Sequence, residues 1–284
     1  MSRLRMVVPK GRIYRNIVQL LGEAGIHLDV DERGYRPIVS DPDIAVKIMK
    51  PQNIPRLLEL GSHDIGFTGY DWIRETGSEV EVLLDLKFDP VRIIAAVPEG
   101  ATIETLRERR VVVATEYETI SRAWLDGQQL DYVLLRTHGA TEVFPPDDAD
   151  MIIDNTSTGR TLAEHNLAIV GEIMRSSTCF VACPEAMQDP WKAEKIARIQ
   201  MLFQSILDAR GRVMLEMNVA PDILDRIIDV LPCMRSPTVA ELFGQKGYAV
   251  KVAVSRSQAV QLIPQLKAMG ATDILEYDFK KVVV

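Results

Sequence analysis

A stretch from Asp150 to Leu162, which reads D-M-I-I-D-N-T-S-T-G-R-T-L, constrains the fold of this chain more than any other part of the sequence. Its apolar run from Met151 to Ile153 is typical of a buried central strand, and the cluster from Asp154 to Gly159 is typical of a polar turn. A helical pattern begins at about Gly159 and places Leu162 on its inner side. The stretch therefore predicts a strand, a loop and a helix in succession, which is the arrangement at which open α/β sheets bind ligands.

The loop has the groups that hold a phosphate. Backbone N–H groups at a helix N-terminus lack intrahelical partners, and Gly159 lets a bulky anion approach them, while Ser157, Thr158 and Thr161 add hydroxyl donors. Asp154 cannot bind the same phosphate because like charges repel, so we expect it to bind sugar hydroxyls or a magnesium ion that carries further phosphates. An ordinary helix start capped by Ser157 or Thr158 explains any one of these residues. The acid, two hydroxyls, glycine and threonine in this order favour a phosphate site.

The chain has 284 residues, of which 47% are hydrophobic and 26% charged, an ordinary globular composition with room for two or three domains. No apolar run approaches the length of a membrane-spanning helix, and the N-terminal apolar run breaks too soon for a signal peptide. We therefore expect a cytoplasmic protein that has no membrane partner.

The net charge of −7 argues against nucleic acid as a partner, since phosphate-backbone binding needs a basic surface. From Val213 onward, eight basic residues balance eight acidic ones, so the acidic excess lies in the first 212 residues. A phosphate site there must be built from local donors and metal.

Cysteine and histidine indicate neither disulfides nor a zinc site. The three cysteines, Cys179, Cys183 and Cys233, have no C-x-x-C spacing and are interpreted as reduced packing residues. The four histidines are scattered without the spacing of metal ligands.

Two α/β units and a smaller third domain are predicted along the chain. The first unit spans residues 1–90 and regains 179–210, and the second spans 91–178 and carries the phosphate loop. Separate strands are predicted at Val80–Leu86 and Arg92–Val97, and again at Ala168–Met174 and Thr178–Cys183. Two units between which the chain crosses more than once provide a cleft and a hinge for enclosing a polar substrate.

The third domain, residues 213–284, has the order βαββαβ of a ferredoxin-like fold. It contains no acid–base cluster and no glycine-rich phosphate loop. We therefore expect it to regulate or assemble rather than to catalyse.

Two other strand-to-helix corners lie in the first unit. Lys10 and Arg12 in P-K-G-R are suited to the phosphates of a nucleotide or PRPP. Solvated charges at a helix start are the default interpretation of this corner alone, but the separate phosphate loop elsewhere in the chain weakens it. Gly66 and Gly69 in D-I-G-F-T-G-Y-D allow close backbone approach, a pattern that also occurs for packing alone.

Polar residues of the second unit also follow strand ends, which places them on its functional edge. They are Glu116, Tyr117, His138 and Glu142. His138 could titrate near neutral pH but has no visible carboxylate partner, so it is interpreted as a loop residue. Glu142, a carboxylate in a glycine-containing turn, is the better candidate.

Seven motifs, each weak alone, occur in an order that resembles the long form of the ATP phosphoribosyltransferase family, and the resemblance covers essentially the whole chain. The motifs are P-K-G-R at Pro9 to Arg12, G-F-T-G-Y-D at Gly66 to Asp71, D-L-K-F at Asp85 to Phe88, A-T-E-Y at Ala114 to Tyr117, G-A-T-E at Gly139 to Glu142, D-N-T-S-T-G-R-T-L at Asp154 to Leu162, and S-P-T at Ser236 to Thr238.

The resemblance implies two periplasmic-binding-protein-like α/β lobes around a cleft, followed by the ferredoxin-like regulatory domain. It implies transfer of a phosphoribosyl group from 5-phosphoribosyl 1-diphosphate (PRPP) to N1 of the adenine ring of ATP, with release of diphosphate, as the first step of histidine biosynthesis. Mg²⁺ is the implied cofactor, bound through PRPP and diphosphate because the sequence has no direct metal motif. The implied assembly is a homo-oligomer, a hexamer or a dimer.

The resemblance also assigns site residues. Lys10, Glu142 and Asp154 are the implied catalytic residues. PRPP is assigned to Asp154, Ser157, Thr158, Gly159, Arg160 and Thr161. ATP and diphosphate are assigned to Lys10, Gly11, Arg12, Gly69, Asp71, Tyr117 and Glu142. Histidine, the implied inhibitor, is assigned to Asn218, Met234, Ser236 and Thr238.

This chain departs from the family pattern at two places. The family usually has two apolar residues after the loop aspartate, where this chain has Asn155 and Thr156, and often has an acid near position 218, where it has Asn218. Two other function classes stay open: a catalytically inactive regulatory paralogue, or a two-lobed module that senses an anion or nucleotide. A transferase that joins PRPP to another base is a further alternative.

Overall fold

An eight-stranded mixed sheet forms the centre of the first of two units into which the chain divides. The computed structural model describes residues 3–29, 34–232, 236–244 and 246–283. The first unit comprises Met1–Gly22 and Ile26–Ile196, and the second comprises Glu23–Gly25 and Ala197–Val284. The finer division of the first unit into lobes at residues 90 and 179 stays a prediction.

Strands and helices alternate along most of the first unit. The strands are β1 Leu4–Pro9, β2 Leu28–Asp29, β3 Ile38–Val39, β4 Ile44–Met49, β5 Ile65–Gly69, β6 Glu81–Pro98, β7 Val111–Thr115, β8 Tyr132–Arg136, β9 Met151–Thr156 and β10 Leu167–Ala182. The helices are α1 Tyr14–Glu23, α2 Ile54–Glu59, α3 Tyr70–Thr76, α4 Ile103–Leu106, α5 Glu118–Gly127, α6 Arg160–Glu164, α7 Pro184–Gln188 and α8 Pro190–Arg210, the last of which continues into the second unit.

Two long strands join the halves of this sheet, whose order is β4-β1-β5-β10-β6-β9-β7-β8. Strands β6 and β10 pair with each other in antiparallel fashion from Glu81 with Ala182 to Pro98 with Leu167. On one side, β10 pairs with β5, and the sheet continues through β1 to β4. On the other side, β6 pairs with β9, and the sheet continues through β7 to β8. The two halves therefore share a two-stranded connection, as the expected two-lobed fold requires.

The prediction of separate strands on either side of K-F-D-P-V and again before Thr178 was wrong. The residues that were expected to form turns lie within the paired strands. Lys87 and Asp89 have positive φ angles of 56° and 47°, and the pairing register of β6 and β10 shifts between Ser176 and Thr178. The backbone kinks locally while pairing between β6 and β10 continues on both sides. Each predicted pair of strands is thus one continuous strand.

Strand β9 is the buried central strand that its apolar run predicted. Met151, Ile152 and Ile153 are fully buried, and their side chains enter hydrophobic clusters on opposite faces of the sheet. The strand is longer than expected, because Asp154, Asn155 and Thr156 pair with β6. These residues were predicted to begin the turn, but extended pairing with β6 keeps them in the sheet.

The second unit contains a four-stranded antiparallel sheet of order β12-β13-β11-β14. Alternate residues of its first strand, Val213, Leu215, Met217 and Val219, are buried against two helices in one core. This order of strands and helices confirms the ferredoxin-like prediction. The elements are β11 Arg212–Val219, α9 Leu224–Val230, β12 Thr238–Glu241, β13 Tyr248–Ser255, α10 Arg256–Ala268 and β14 Thr272–Asp278.

Cys179 and Cys183 are buried and free, whereas Cys233 lies outside the described residues. Within the described part of the chain, no helix combines the length and the apolar character needed to cross a bilayer.

Candidate active site

A polar cavity of about 170 Å³, here called the central cavity, lies among the two halves of the large sheet. Parts of its wall follow β1, β5 and β7, so strand ends supply several of its polar groups, as expected for an α/β sheet. Its wall includes Lys10, Arg12, Gln52, Gly69, Asp71, Trp72, Glu116, Tyr117, Asn155, Ser176, Ser177 and Thr178. Of the residues assigned to ATP and diphosphate, the structure brings five to this wall: Lys10, Arg12, Gly69, Asp71 and Tyr117. Gly11 and Glu142 are not part of it.

A hydrogen-bond network with a buried centre at Asp71 and Tyr117 joins the halves of the sheet at this wall. Asp71 accepts a hydrogen bond from the Tyr117 hydroxyl at 2.8 Å and another from the Ser176 hydroxyl at 2.6 Å. Asn155 Nδ2 donates to the Tyr117 hydroxyl oxygen at 3.1 Å and to Asp154 Oδ1 at 3.1 Å. The network therefore runs from Ser176 through Asp71, Tyr117 and Asn155 to Asp154.

Tyr117 is the centre of this network and is fully enclosed. Its ring stacks on Trp72 with 4.6 Å between the ring centroids. Burial, reinforced by the nearby Asp71 carboxylate, raises the pKa of Tyr117 far above its usual range. Tyr117 therefore remains a protonated donor at any pH at which the protein works.

We expect Tyr117→Phe to lower the free energy of unfolding by about 1–3 kcal/mol, because it removes one of the two buried hydroxyl donors of the Asp71 carboxylate and one acceptor of the Asn155 amide. Urea unfolding measures the change. Tyr132→Phe is the matched control, since it removes an exposed hydroxyl bond to Asp126 and should cost less than about 1 kcal/mol. An equal loss in both variants would contradict the importance of the buried network.

A glycine explains why Asp71 can bend into this network. Gly69 is the residue before α3, and a Cβ added to it would collide with the Asp71 carboxylate. The motif G-F-T-G-Y-D therefore places a glycine where the carboxylate folds back over the chain. This steric requirement gives the second glycine of the motif a specific role.

Asp154 is half-buried near the end of β9 and accepts a hydrogen bond from the Asn155 backbone N–H at 2.6 Å. Burial raises the pKa of Asp154 to about 6; the Asn155 N–H and the Thr141 hydroxyl oppose the rise, and the charges of Glu116 and Glu142 add to it. The structure thus brings Glu142 and Glu116 near Asp154. Among the described residues, no three histidine, cysteine or acidic side chains could hold a metal ion by themselves.

The predicted phosphate loop follows Asp154 directly and is open to solvent. Gly159 has a φ angle of +77°, which L side chains rarely adopt, and its N–H donates to the Thr156 hydroxyl at 3.0 Å. The Ser157, Thr158 and Thr161 side chains are exposed, and the Arg160 guanidinium pairs with Glu164 at 2.8 Å. The structure therefore places the residues that the resemblance assigns to PRPP together beside Asp154 but outside the central cavity.

A second cavity of about 470 Å³, here called the adjoining cavity, shares Gln52, Trp72 and Glu116 with the central one. Its wall contains three cations, Lys50, Arg56 and Arg136, and two carboxylates, Glu75 and Glu116. His138, interpreted above as a loop residue, lies in its wall. Lys50, Gln52 and Arg136 belong to no motif that indicated a site, although Lys50 follows β4 and Arg136 ends β8, positions at which α/β sheets carry functional groups.

Glu75 joins α3 to α5 across the cleft. Its carboxylate accepts hydrogen bonds from the backbone N–H groups of Thr119 and Ile120 at 3.0 Å each. These are unpaired donors in the first turn of α5, so the carboxylate caps that helix from the other side of the cleft. The Glu75 carboxylate thus links α3 to α5.

Comparisons with known proteins identify the family of this chain. The family ATP phosphoribosyltransferase matches residues 50–206, and the family described as HisG, C-terminal domain, matches residues 209–281. An ATP phosphoribosyltransferase from Chlorobium phaeovibrioides is 37% identical over 286 residues, covering 99% of this chain and 97% of the relative. One from Desulforudis audaxviator is 37% identical and covers 99% of each chain.

A solved structure shares the fold. A chain of the ATP phosphoribosyl transferase (HisG:HisZ) complex from Thermotoga maritima has a TM-score of 0.64 and 24% identity, covering 71% of this chain and 98% of its own. The fold class expected from the sequence is confirmed, and so is the resemblance that the seven motifs indicated. With its catalytic and C-terminal regions both matched, this chain belongs to the ATP phosphoribosyltransferase family.

Proposed function

We propose that this chain uses its own cleft for the transfer of phosphoribosyl from PRPP to N1 of the adenine ring of ATP, which opens histidine biosynthesis. The observation that carries the proposal is the position of Asp154, a carboxylate near the end of a buried strand. An exposed glycine-containing loop follows it, and the network through Asn155 and Tyr117 connects it to the central cavity. A sugar held at Asp154 would have its phosphate at the loop and its reacting carbon toward the cavity.

The reaction needs charge stabilisation more than it needs a base. A bond forms between adenine N1 and ribose C1 while the bond from C1 to the diphosphate oxygen breaks, and the electron pair leaves with diphosphate. Adenine N1 is already a neutral nucleophile. The Asp154 carboxylate would hold the ribose hydroxyls beside the cationic sugar, and Lys10 and Arg12 would face the departing polyanion.

The cations proposed for diphosphate or nucleotide phosphates are available for that task. Lys10 and Arg12 are exposed at the wall of the central cavity, and within the described ranges neither forms an ion pair with a carboxylate. Lys10 Nζ lies 5.8 Å from the centre of the Tyr35 ring, a contact that leaves the ammonium charge uncompensated. A polyanion would supply the missing countercharge.

The remaining roles follow the positions of the side chains. Asp71 and Tyr117 would shape the ATP side of the cavity, and Gly11 and Gly69 would let the nucleotide approach the backbone. Glu142 would act near the sugar, since its charge is already felt by Asp154. The ribose 5-phosphate would bind to Ser157, Thr158, Gly159, Arg160 and Thr161.

Magnesium fits this site as an ion that arrives with the substrate. Asp154, Glu116 and Glu142 provide carboxylate oxygens, the ligands that Mg²⁺ prefers, but the described residues do not form a complete protein cage. When bound to the phosphates, Mg²⁺ would neutralise charge on the leaving diphosphate. The acids of this chain would then orient the ribose and hold the loaded substrate at the sheet edge.

Diphosphate release in the presence of ATP, PRPP and magnesium tests the proposed function. We expect release with ATP and none when adenine, guanine or uracil replaces it. Release with a free base would show a transferase for another acceptor. Binding of both substrates without release would show a regulatory paralogue or a sensing module.

We also propose feedback inhibition by histidine through the second unit. Asn218 of β11 donates from Nδ2 to Asp273 Oδ2 of β14 at 2.8 Å, so a neighbouring strand supplies the acid that position 218 lacks. Ser236 and Thr238 lie before and at the start of β12, and Met234 lies outside the described residues. A homo-oligomer, a hexamer or a dimer, and a cytoplasmic location complete the proposal.

Asp273→Asn should weaken histidine inhibition by about 10- to 100-fold, the loss expected when an amine loses one charge-assisted hydrogen bond, without a change in uninhibited turnover. Asn is a suitable replacement because Asp273 has a φ angle of 49°, which Asn tolerates. The histidine concentration for half-inhibition is the measurement. Asp278→Asn, which removes an exposed partner of Arg256, is the control and should leave inhibition unchanged.

A further inference from the structure

The central cavity contains buried polar atoms that the protein itself does not satisfy. Gln52 Oε1 and Thr178 Oγ1 are buried, and neither has a hydrogen-bond partner within the described part of the chain. Both residues belong to the cavity wall. Buried polar atoms in native proteins are nearly always paired, so two unpaired oxygens at one cavity point to a ligand that supplies their partners.

Only one of the two carboxamides in this wall is free to recognise a ligand through both of its polar atoms. The Asn155 Nδ2 group already donates to Tyr117 and to Asp154. The Gln52 side chain has no hydrogen-bond partner among the described residues, and Gln52 lies in the walls of both the central and the adjoining cavity. The Gln52 carboxamide therefore retains an acceptor and a donor for a substrate.

The backbone around Gln52 is fixed, which a recognition residue requires. Gln52 is the middle residue of a single 3₁₀ turn, Pro51–Asn53, directly after β4 and Lys50. The buried hydroxyl of Thr68 donates to the Pro51 carbonyl at 3.0 Å and ties this turn to β5. The turn thus holds the carboxamide at a defined place between the two cavities.

We propose that Gln52 is the residue that selects adenine, by binding the edge of the base that carries the 6-amino group and N7. This inference rests on the proposed function, since it assumes that ATP enters the central cavity. A carboxamide matches that edge with two hydrogen bonds: its oxygen accepts from the 6-amino group and its N–H donates to N7. Recognition at this edge leaves N1 free to attack the ribose carbon.

The same geometry rejects other purines. Guanine and hypoxanthine present acceptors at both position 6 and N7, so one carboxamide cannot pair with both atoms. Gln52 Oε1 or its N–H would stay unsatisfied in a closed cavity, which lowers the affinity for the wrong base. Gln52 would therefore serve both to orient N1 and to exclude guanine nucleotides.

Two ATP analogues test the proposal, because each lacks one of the two groups and keeps N1. These are 7-deaza-ATP, which lacks N7, and purine riboside triphosphate, which lacks the 6-amino group. We compare kcat/KM for ATP and each analogue in the wild-type protein and in Gln52→Met, which has a similar length but no hydrogen-bonding amide. The ratio of the two preferences cancels the intrinsic reactivity of each base.

We expect the preference for ATP over each analogue to fall by about 5- to 10-fold in Gln52→Met, which is the loss of one hydrogen bond per analogue. Asn53→Ala, a change at the neighbouring carboxamide, should leave both preferences as they are in the wild-type protein. An equal loss of kcat/KM for all three nucleotides in Gln52→Met would overturn the proposal. A wild-type protein that does not use ATP at all would instead refute the proposed function.

Discussion

Asp154→Asn should abolish most of the transfer activity and at the same time make the protein more stable at neutral pH. The carboxylate is proposed to hold two ribose hydroxyls, and hydrogen bonds to a charged group contribute about 1.5–3 kcal/mol each. Their loss predicts that kcat/KM falls by roughly a hundredfold to ten-thousandfold. Steady-state kinetics with varied PRPP measures this fall.

The gain in stability follows from the raised pKa of the same group. The folded protein raises the pKa of Asp154 from its ordinary value of 3.8 to about 6, so the folded state binds this proton more tightly than the unfolded state does. The cost of the buried charge is absent below about pH 4, grows between about pH 4 and 6, and is complete above pH 6. Asp154→Asn removes a cost of about 2–3 kcal/mol at pH 7 and almost nothing at pH 4.

Asp150, the residue directly before β9, provides a control because its pKa is shifted in the opposite direction. Hydrogen bonding to Arg109 lowers the pKa of Asp150, and its carboxylate also accepts the Val112 N–H at 2.8 Å. Its stabilising effect is present above the unfolded pKa and is lost as the pH falls, so Asp150→Asn should destabilise the protein at pH 7. Denaturant unfolding at pH 4 and pH 7 compares the two variants. An Asp154→Asn protein that is less stable at pH 7 than the wild type would contradict the assigned burial.

Gly69→Ala should lower both stability and activity because it forces the Asp71 carboxylate out of its network. The added Cβ would collide with that carboxylate, and moving it breaks the bonds from Tyr117 and Ser176. Overpacking of this kind, together with two unsatisfied donors, should lower the free energy of unfolding by about 2–4 kcal/mol. The ATP side of the cavity would be deformed, so we expect kcat/KM for ATP to fall by roughly tenfold or more.

Gly127→Ala is the matched control for this substitution. Gly127 ends α5, and a Cβ there would meet no atom within 4 Å. Alanine reduces the conformational freedom of the unfolded chain, so this change should be neutral or stabilising by up to about 1 kcal/mol. Thermal unfolding of the two variants compares them directly. Equal behaviour of Gly69→Ala and Gly127→Ala would show that the Asp71 network does not depend on the glycine.

Local sequence patterns were sufficient to predict the strands and helices whose own residues favour the structure that they adopt. The apolar run from Met151 to Ile153 was correctly identified as a central strand, and the βαββαβ order of the third domain was confirmed. The continuity of β6 and β10 could not be predicted in this way. Their turn-forming residues stay in the ladder because a partner strand far along the chain holds them there.

The same limit separates the site residues that were anticipated from those that were missed. Lys10, Asp71 and Tyr117 follow strand ends within recognisable motifs, so position and resemblance both indicated them. Ser176 gains its role from Asp71, which lies 105 residues away in sequence, and Asn155 gains its role from Tyr117. A serine or an asparagine has no local pattern that reveals such a partner, and only the folded chain brings them together.

The central claim is that N1 of ATP attacks a phosphoribosyl group held at Asp154. Nitrogen NMR of ATP labelled with ¹⁵N at N1, recorded while the protein consumes PRPP in the presence of magnesium, tests it most directly. We predict that the N1 resonance moves to that of an alkylated nitrogen in step with diphosphate release, and that Asp154→Asn slows both together. Release of diphosphate with an unchanged N1 resonance would contradict the claim.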